Sequence, residues 1–233
     1  MNILHPLLCR AIMVAGVIFS TCTLAQPGAS DPNANRVQSI TLENLSPAEA
    51  VELFKTLPCP TMEEMEGEFS GEMLSFPTLY TRIFWGIASK NPIYPGIWQG
   101  KSFHQTDKNA GRGYNSVKRL IGGLVDMWPM LTQIGPSYFD SKPSFQLIYR
   151  AFDHYAGDIH MLDEVRRLPD GRYLGIGRTG TSTEERRLAM PFLLKQRIGH
   201  YRADIGTAHS GFNMDQELEL LEFPASAYKR SAK

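Results

Sequence analysis

Cysteine is scarce. Cys9, Cys22 and Cys59 are the only three in 233 residues, and no two of them stand in the C-x-x-C spacing of a zinc or redox site. An excess of either charge is also missing, since Lys+Arg and Asp+Glu both number 24. There is therefore no basic field to attract nucleic acid, and nothing signals a strongly acidic substrate. The chain holds no H-E-x-x-H, no G-x-S-x-G elbow and no phosphate-loop glycine pattern. Gly175-Ile176-Gly177-Arg178-Thr179-Gly180 imitates G-x-G-x-x-G, but it follows a hairpin turn and no helix start comes next, so a dinucleotide site is rejected. What remains is ordinary for a chain with a core: 42% hydrophobic, 10% aromatic and 21% charged residues.

The first 25 residues differ from the rest. Arg10 is their one charged side chain, the run Ala11 to Ser20 is apolar, and Thr23-Leu24-Ala25 puts small residues where a signal peptidase reads. Ala11 to Ala25 is 15 residues, short of the roughly 20 that a spanning helix needs. The expectation is an export signal cleaved after Ala25, giving a periplasmic or secreted protein with no membrane span after cleavage. Acylation at Cys22 is disfavoured, because Phe19 and Thr21 stand where lipoprotein signals carry an aliphatic and a small residue. Removal of Cys9 and Cys22 leaves Cys59 alone, so no intrachain disulfide is available and stability must come from a core.

Residues 26–44 begin as a polar, Pro- and Gly-containing arm and are expected to be disordered. Ser46, Pro47 and Glu49 then form a capping-box helix start, and Ala50, Leu53, Phe54 and Leu57 recur at helical spacing until Pro58. A second helix is expected within 77–89, from Leu79, Ile83, Phe84 and Ile87. Period-two patterns predict strands elsewhere: 65–74, with Glu66, Glu68 and Glu72 on a solvated face; 96–104; 114–125, ending at Gly122-Gly123; 144–153; 158–168; 172–177; and 188–195, where Pro191 argues for an edge or bulge. Trp98 and Phe103 have opposite parity, so either a bulge intervenes between them or both faces of the strand are partly covered. Pro169-Asp170-Gly171 is a hairpin turn.

The segment order is therefore one domain over 45–225, with a tail over 226–233. Its class is mainly β (α+β), an antiparallel lipocalin-like barrel with N-terminal helices. Closure removes bare edges, and about eight strands enclose just enough room for one small ligand.

Two phrases carry a resemblance: Gly67-x-Phe69-x-Gly71-Glu72 and Trp98-Gln99-Gly100-Lys101-Ser102-Phe103, following a short proline-bounded helix. They resemble the bacterial GXWXG-domain proteins and, more distantly, lipocalin-like barrels, although Phe69 stands where both patterns have Trp. The resemblance implies a barrel-like fold and apolar ligand binding. It supplies no catalytic residue.

The strand aromatics Phe69, Trp98, Phe103, Tyr149 and Tyr173 are the candidate ligand-binding residues, with Arg172 as a clamp for an anionic end. Arg167 and Arg172 should meet across the hairpin, with Asp163 and Glu164 forming cross-strand pairs on a wet face. His154 and His160 flank Tyr155-Ala156-Gly157, where two imidazoles and a carboxylate could ligate a metal. Exposed hairpin residues are the expectation there, and no metal or cofactor is assigned. The leading function is binding of a lipid-like or other apolar small molecule. The alternatives are an enzyme using His104, His154 or His160 as acid–base groups, and a non-catalytic envelope or interaction protein.

Overall fold

The computed structural model describes residues 42–88 and 90–227. The expected export signal and residues 26–41 of the expected arm lie outside the described residues. The arm's last residues, Leu42–Asn44, form a 3-10 turn in which Leu42 is buried, so the packed chain starts slightly before residue 45.

Eight antiparallel strands close into a barrel in sequence order: β1 (Gly67–Met73), β2 (Ile97–Asp107), β3 (Ala110–Arg119), β4 (Gly123–Pro136), β5 (Pro143–Ile148), β6 (Leu162–Arg167), β7 (Tyr173–Arg178) and β8 (Met190–Gly199). Each pairs with its successor, and β8 returns to pair with β1. The fold is mainly β, an antiparallel barrel with a few helices, as the alternating segments imply.

Helix α1 (Pro47–Thr56) begins with the expected capping box. The Glu49 N–H donates to Ser46 Oγ (3.3 Å), while the Ser46 N–H donates to Glu49 Oε2 (2.9 Å). Its Ala50, Leu53 and Phe54 pack with Leu174, Ile176 and Leu193 on the outer face of β7 and β8. Those two strands are therefore apolar on both faces, which is what sets them apart from a half-wet strand.

The two glycine–aromatic phrases lie side by side and interlock. Phe69 pairs with Lys101, and Ser70 with Gly100. A methyl group on Gly71 would meet the Trp98 indole at 2.4 Å, and one on Gly100, whose φ is +147°, would meet the Phe69 carbonyl oxygen at 1.9 Å. Each phrase supplies the glycine over which the other's aromatic residue or backbone passes. Of the two readings of the Trp98–Phe103 parity, the bulge is the one that occurs, between Trp98 and Gly100.

Several expected elements are corrected. The stretch 114–125 is the end of β3 and the start of β4, because Gly122 and Gly123, both at positive φ, reverse the chain. The strand expected over 144–153 stops at Ile148, and Tyr149–Ala151 form a 3-10 turn. Tyr155-Ala156-Gly157 belongs to a short helix, α3 (Tyr155–Asp158), so the following strand begins at Leu162, not 158. Pro191 is on no free edge. It lies where β1 ends beside β8, opposite Ile176. Helix α2 (Leu79–Ala88) joins β1 to β2 as expected. Two helices give no clear signal in the sequence, α4 (Thr183–Arg186) and α5 (Met214–Leu220). No helix among the described residues is long and apolar enough to cross a membrane.

The barrel has two unlike ends. At the far end, Met62 and Met65 close the interior beneath β1, and the 168–172 turn lies alongside. The near end collects α2, the β3–β4 tip, α3 and the start of β8.

Candidate functional site

The far half of the interior is solid. Phe69 lies edge-on to Tyr173 (5.6 Å between centroids) and tilted against Phe103 (6.1 Å), while Phe103 lies edge-on to Phe145 (5.3 Å). Three of the candidate ligand-binding residues, Phe69, Phe103 and Tyr173, are thus packed against one another in the core cluster.

The near half is different, because a charged cluster is buried there. Lys101 is 3% exposed and Asp163 0%. Lys101 Nζ donates to Asp163 Oδ2 (3.0 Å), Tyr149 Oη (2.5 Å) and Asn115 Oδ1 (2.9 Å), which uses all three ammonium protons. Trp98 Nε1 also donates to Asn115 Oδ1 (3.0 Å). The Asn115 amide donates to Tyr149 Oη (3.1 Å), and that hydroxyl in turn donates to Asp163 Oδ2 (3.1 Å). The rings of Trp98, Tyr149 and Phe192 surround the ammonium, with centroids 5.1 to 5.5 Å away, and each face contributes to holding the charge. Burial pulls the Lys101 pKa down against the opposing pull of Asp163, and burial likewise pushes the Tyr149 phenol up. One atom is left over. Asp163 Oδ1 is buried beside Gly177, where a methyl would come within 2.8 Å of it, and has no hydrogen-bond partner among the described residues, so its hydrogen-bonding capacity is not used.

Above this floor sit half-buried apolar side chains: Met73 at the end of β1, Trp98 at the start of β2, Trp128 in β4 and Met161 before β6. Trp128 owes its position to a bulge. Gly113 faces Met130 while Asn115 faces Met127, so β4 carries one extra residue, and Trp128 takes a φ of +50°. Bulges of this kind re-aim a side chain. Next to it, His154 Nε2 bonds the Pro129 carbonyl (2.8 Å), and His154 Nδ1 accepts from the Gly157 N–H (3.3 Å). The imidazole is therefore neutral with its proton on Nε2, and burial holds its pKa below the ordinary histidine value.

The candidate residues thus divide. Trp98 and Tyr149 belong to the polar floor and its rim. Arg172 does not. It lies at the far end, 40% exposed and bonded to Asp170 (2.7 Å), on an open surface groove of about 540 Å³ shared with Phe69, Tyr173, Lys195 and Arg197. The expected cross-hairpin charge pairs do not form either. Arg167 faces Tyr173 and binds Glu64 (2.5 Å). Asp163 points into the barrel, and Glu164 is buried on the outer wall, accepting from Ser144 Oγ (2.7 Å). Arg178 is buried too, 3.7 Å from the Tyr138 ring. Glu68 is not on a wet face, being 6% exposed and bound to Arg202 (2.5 Å) and Ser116 (2.9 Å).

His154 and His160 keep separate partners, since His160 Nδ1 bonds Glu217 on α5 (2.8 Å). His104 pairs with Glu66 (2.9 Å) and stacks on Tyr201. Cys59 is half-buried, and burial pushes its thiol up to about 11.

Sequence reasoning did not single out Lys101 or Asn115 as site residues, and it placed Asp163 on a wet face, whereas Asp163 is fully buried. The available signal was parity: Lys101 shares that of Phe103, and Asp163 that of Val165, so inward aromatic and aliphatic residues carry these charges inward with them.

No family model matches this chain, and no curated protein matches it. A solved structure described as the crystal structure of a protein from Thermomonospora curvata is similar over 70% of this chain and 98% of that one, at 16% identity and a TM-score of 0.47.

Proposed function

We propose that the chain binds a lipid-like or other apolar small molecule at the near end of the barrel. The ligand's apolar body would pack on Met73, Trp98, Trp128 and Met161, and a hydrogen-bond donor at its polar end would meet Asp163. The observation that carries this reading is the buried carboxylate oxygen left without a partner beneath a half-buried apolar rim. Barrel mouths favour such sites, an apolar wall with a few convergent polar groups. The resemblance of the two glycine–aromatic phrases to those of GXWXG-domain proteins points the same way. On this reading the protein works outside the cytoplasm after losing residues 1–25, and N-terminal sequencing of the chain from its host would find Gln26 first.

Titration with a fluorescent fatty alcohol tests the binding. Saturable one-to-one binding is expected, weakened at least tenfold by Trp98→Ala, which removes rim area and an indole donor. An absence of saturable binding across alcohols, amines and fatty acids of varied length refutes the proposal.

A further inference from the structure

The near end carries a second feature, independent of the interior cluster. Ten of the thirteen large apolar side chains that stand exposed among the described residues come from two segments, 79–97 and 120–124. Ile121 is 87% exposed, Leu120 76%, Ile93 74% and Tyr80 69%. A concentration of this kind on one face marks an interaction surface. The stretch that follows α2 is tied to the hairpin, and α2 itself stands at the same end because it joins the end of β1 to the start of β2. The Leu120 N–H donates to the Pro92 carbonyl (2.7 Å), Arg119 Nε donates to the Pro95 carbonyl (2.9 Å), and the Arg119 guanidinium stacks over Tyr94. At the tip, methyl groups on Gly122 and Gly123 would meet nothing within 4 Å, so the hairpin projects clear of the barrel.

Along these two segments the charge has one sign, the nearest exposed or half-buried acids being Asp158 of α3 and the Glu184–Glu185 pair of α4. Residues 73–106 and 108–125 contain no Asp or Glu, while Arg82, Lys90 and Lys118 are exposed among the apolar side chains. Apolar side chains rimmed by cations fit a surface that is apolar beneath an anionic layer.

We propose that the near end of the barrel docks on an anionic lipid bilayer, with the 120–124 tip and the outer face of α2 entering the headgroup boundary and Arg82, Lys90 and Lys118 meeting lipid phosphates. The docking holds the mouth of the barrel at the membrane, but it does not depend on ligand binding.

Sedimentation of the purified full-length chain with vesicles of phosphatidylcholine, with and without a quarter phosphatidylglycerol, tests this. The expected result is binding to the anionic vesicles that falls with added salt. Leu120→Asp/Ile121→Asp should lower it at least tenfold, and Arg82→Glu/Lys118→Glu about fivefold or more per reversed charge. These side chains face solvent, so melting temperatures should match the parent. Ile198→Asp, an exposed position on β8 away from this end, should bind like the parent. So should Trp98→Ala, which separates a failure of docking from a failure of ligand binding.

The proposal is overturned if the parent ignores anionic vesicles. Tip variants that bind as well as the parent also overturn it, since adsorption then belongs to another part of the chain such as residues 11–25. A dimer that Ile121→Asp dissociates, with vesicle binding unchanged, assigns the face to a second copy instead.

Discussion

Replacing Lys101 by Met keeps most of the side-chain volume and removes the ammonium. Asp163, fully buried, then keeps only the Tyr149 hydroxyl as a donor, on the oxygen that Lys101 also bonded. Removing one partner of a buried ion pair costs about 3–5 kcal/mol, because the other charge stays desolvated. A domain with a total stability of about 5–15 kcal/mol would lose a large fraction of it. Urea unfolding at pH 7 reads the loss. Two features separate a stranded charge from simple repacking. The unpaired carboxylate is easier to protonate, so the deficit of Lys101→Met relative to the parent should shrink as pH falls from 8 to 5. The double variant Lys101→Met/Asp163→Asn, with no charge left to strand, should be more stable than the single variant at pH 8 and should not show that shrinkage. A single variant within about 1 kcal/mol of the parent, or a deficit constant with pH, would refute the reasoning.

Three further outcomes are expected. Gly100→Ala places a methyl 1.9 Å from the Phe69 carbonyl oxygen at a positive φ and should cost more than about 3 kcal/mol in urea unfolding. Gly211→Ala, with positive φ but open space around it, should cost only about 1 kcal/mol. His154 has its pKa lowered by burial, so the stability from its neutral form is complete above the ordinary value near 6.5 and drains away as pH falls below it. The parent should therefore lose melting temperature relative to His154→Asn between pH 7.5 and 5.5, and a constant difference would remove the assignment. Cys59, with its thiol near 11, should react with iodoacetamide at pH 8 far more slowly than a free thiol, and unfolding in urea should abolish the difference.

The later strands were legible because their alternation is clean. Phe145 and Leu147 in β5, and Tyr173 in β7, point inward as their parity requires, and the Pro169-Asp170-Gly171 turn announces itself. The β3–β4 region was not, because the Trp128-Pro129 bulge breaks the period that a strand shows. Helix α3 is four residues long, too short for a 3.6-residue repeat to register. The candidate site was half legible. Trp98 and Tyr149 advertise themselves as strand aromatics, whereas Lys101 and Asp163 carry residue types that normally face water, and only their parity contradicts this. Glu68, Glu164 and Arg178 illustrate a third cause. Their covers come from distant stretches, Arg202 for Glu68, the Ser137–Tyr138 region for Glu164, and Tyr138 with Phe223 for Arg178, and no local pattern reveals such partners.

The pairing of β1 with β8 means that the wall is sealed by the strands farthest apart along the chain. Every other neighbouring pair can zip as soon as the next strand emerges, but this seam waits until residue 199 is available. Such non-local contacts pay their loop entropy before any reward arrives, which slows the final step of folding. Until that moment the open sheet has two bare edges, β1 and the last strand formed, each able to pair with another chain.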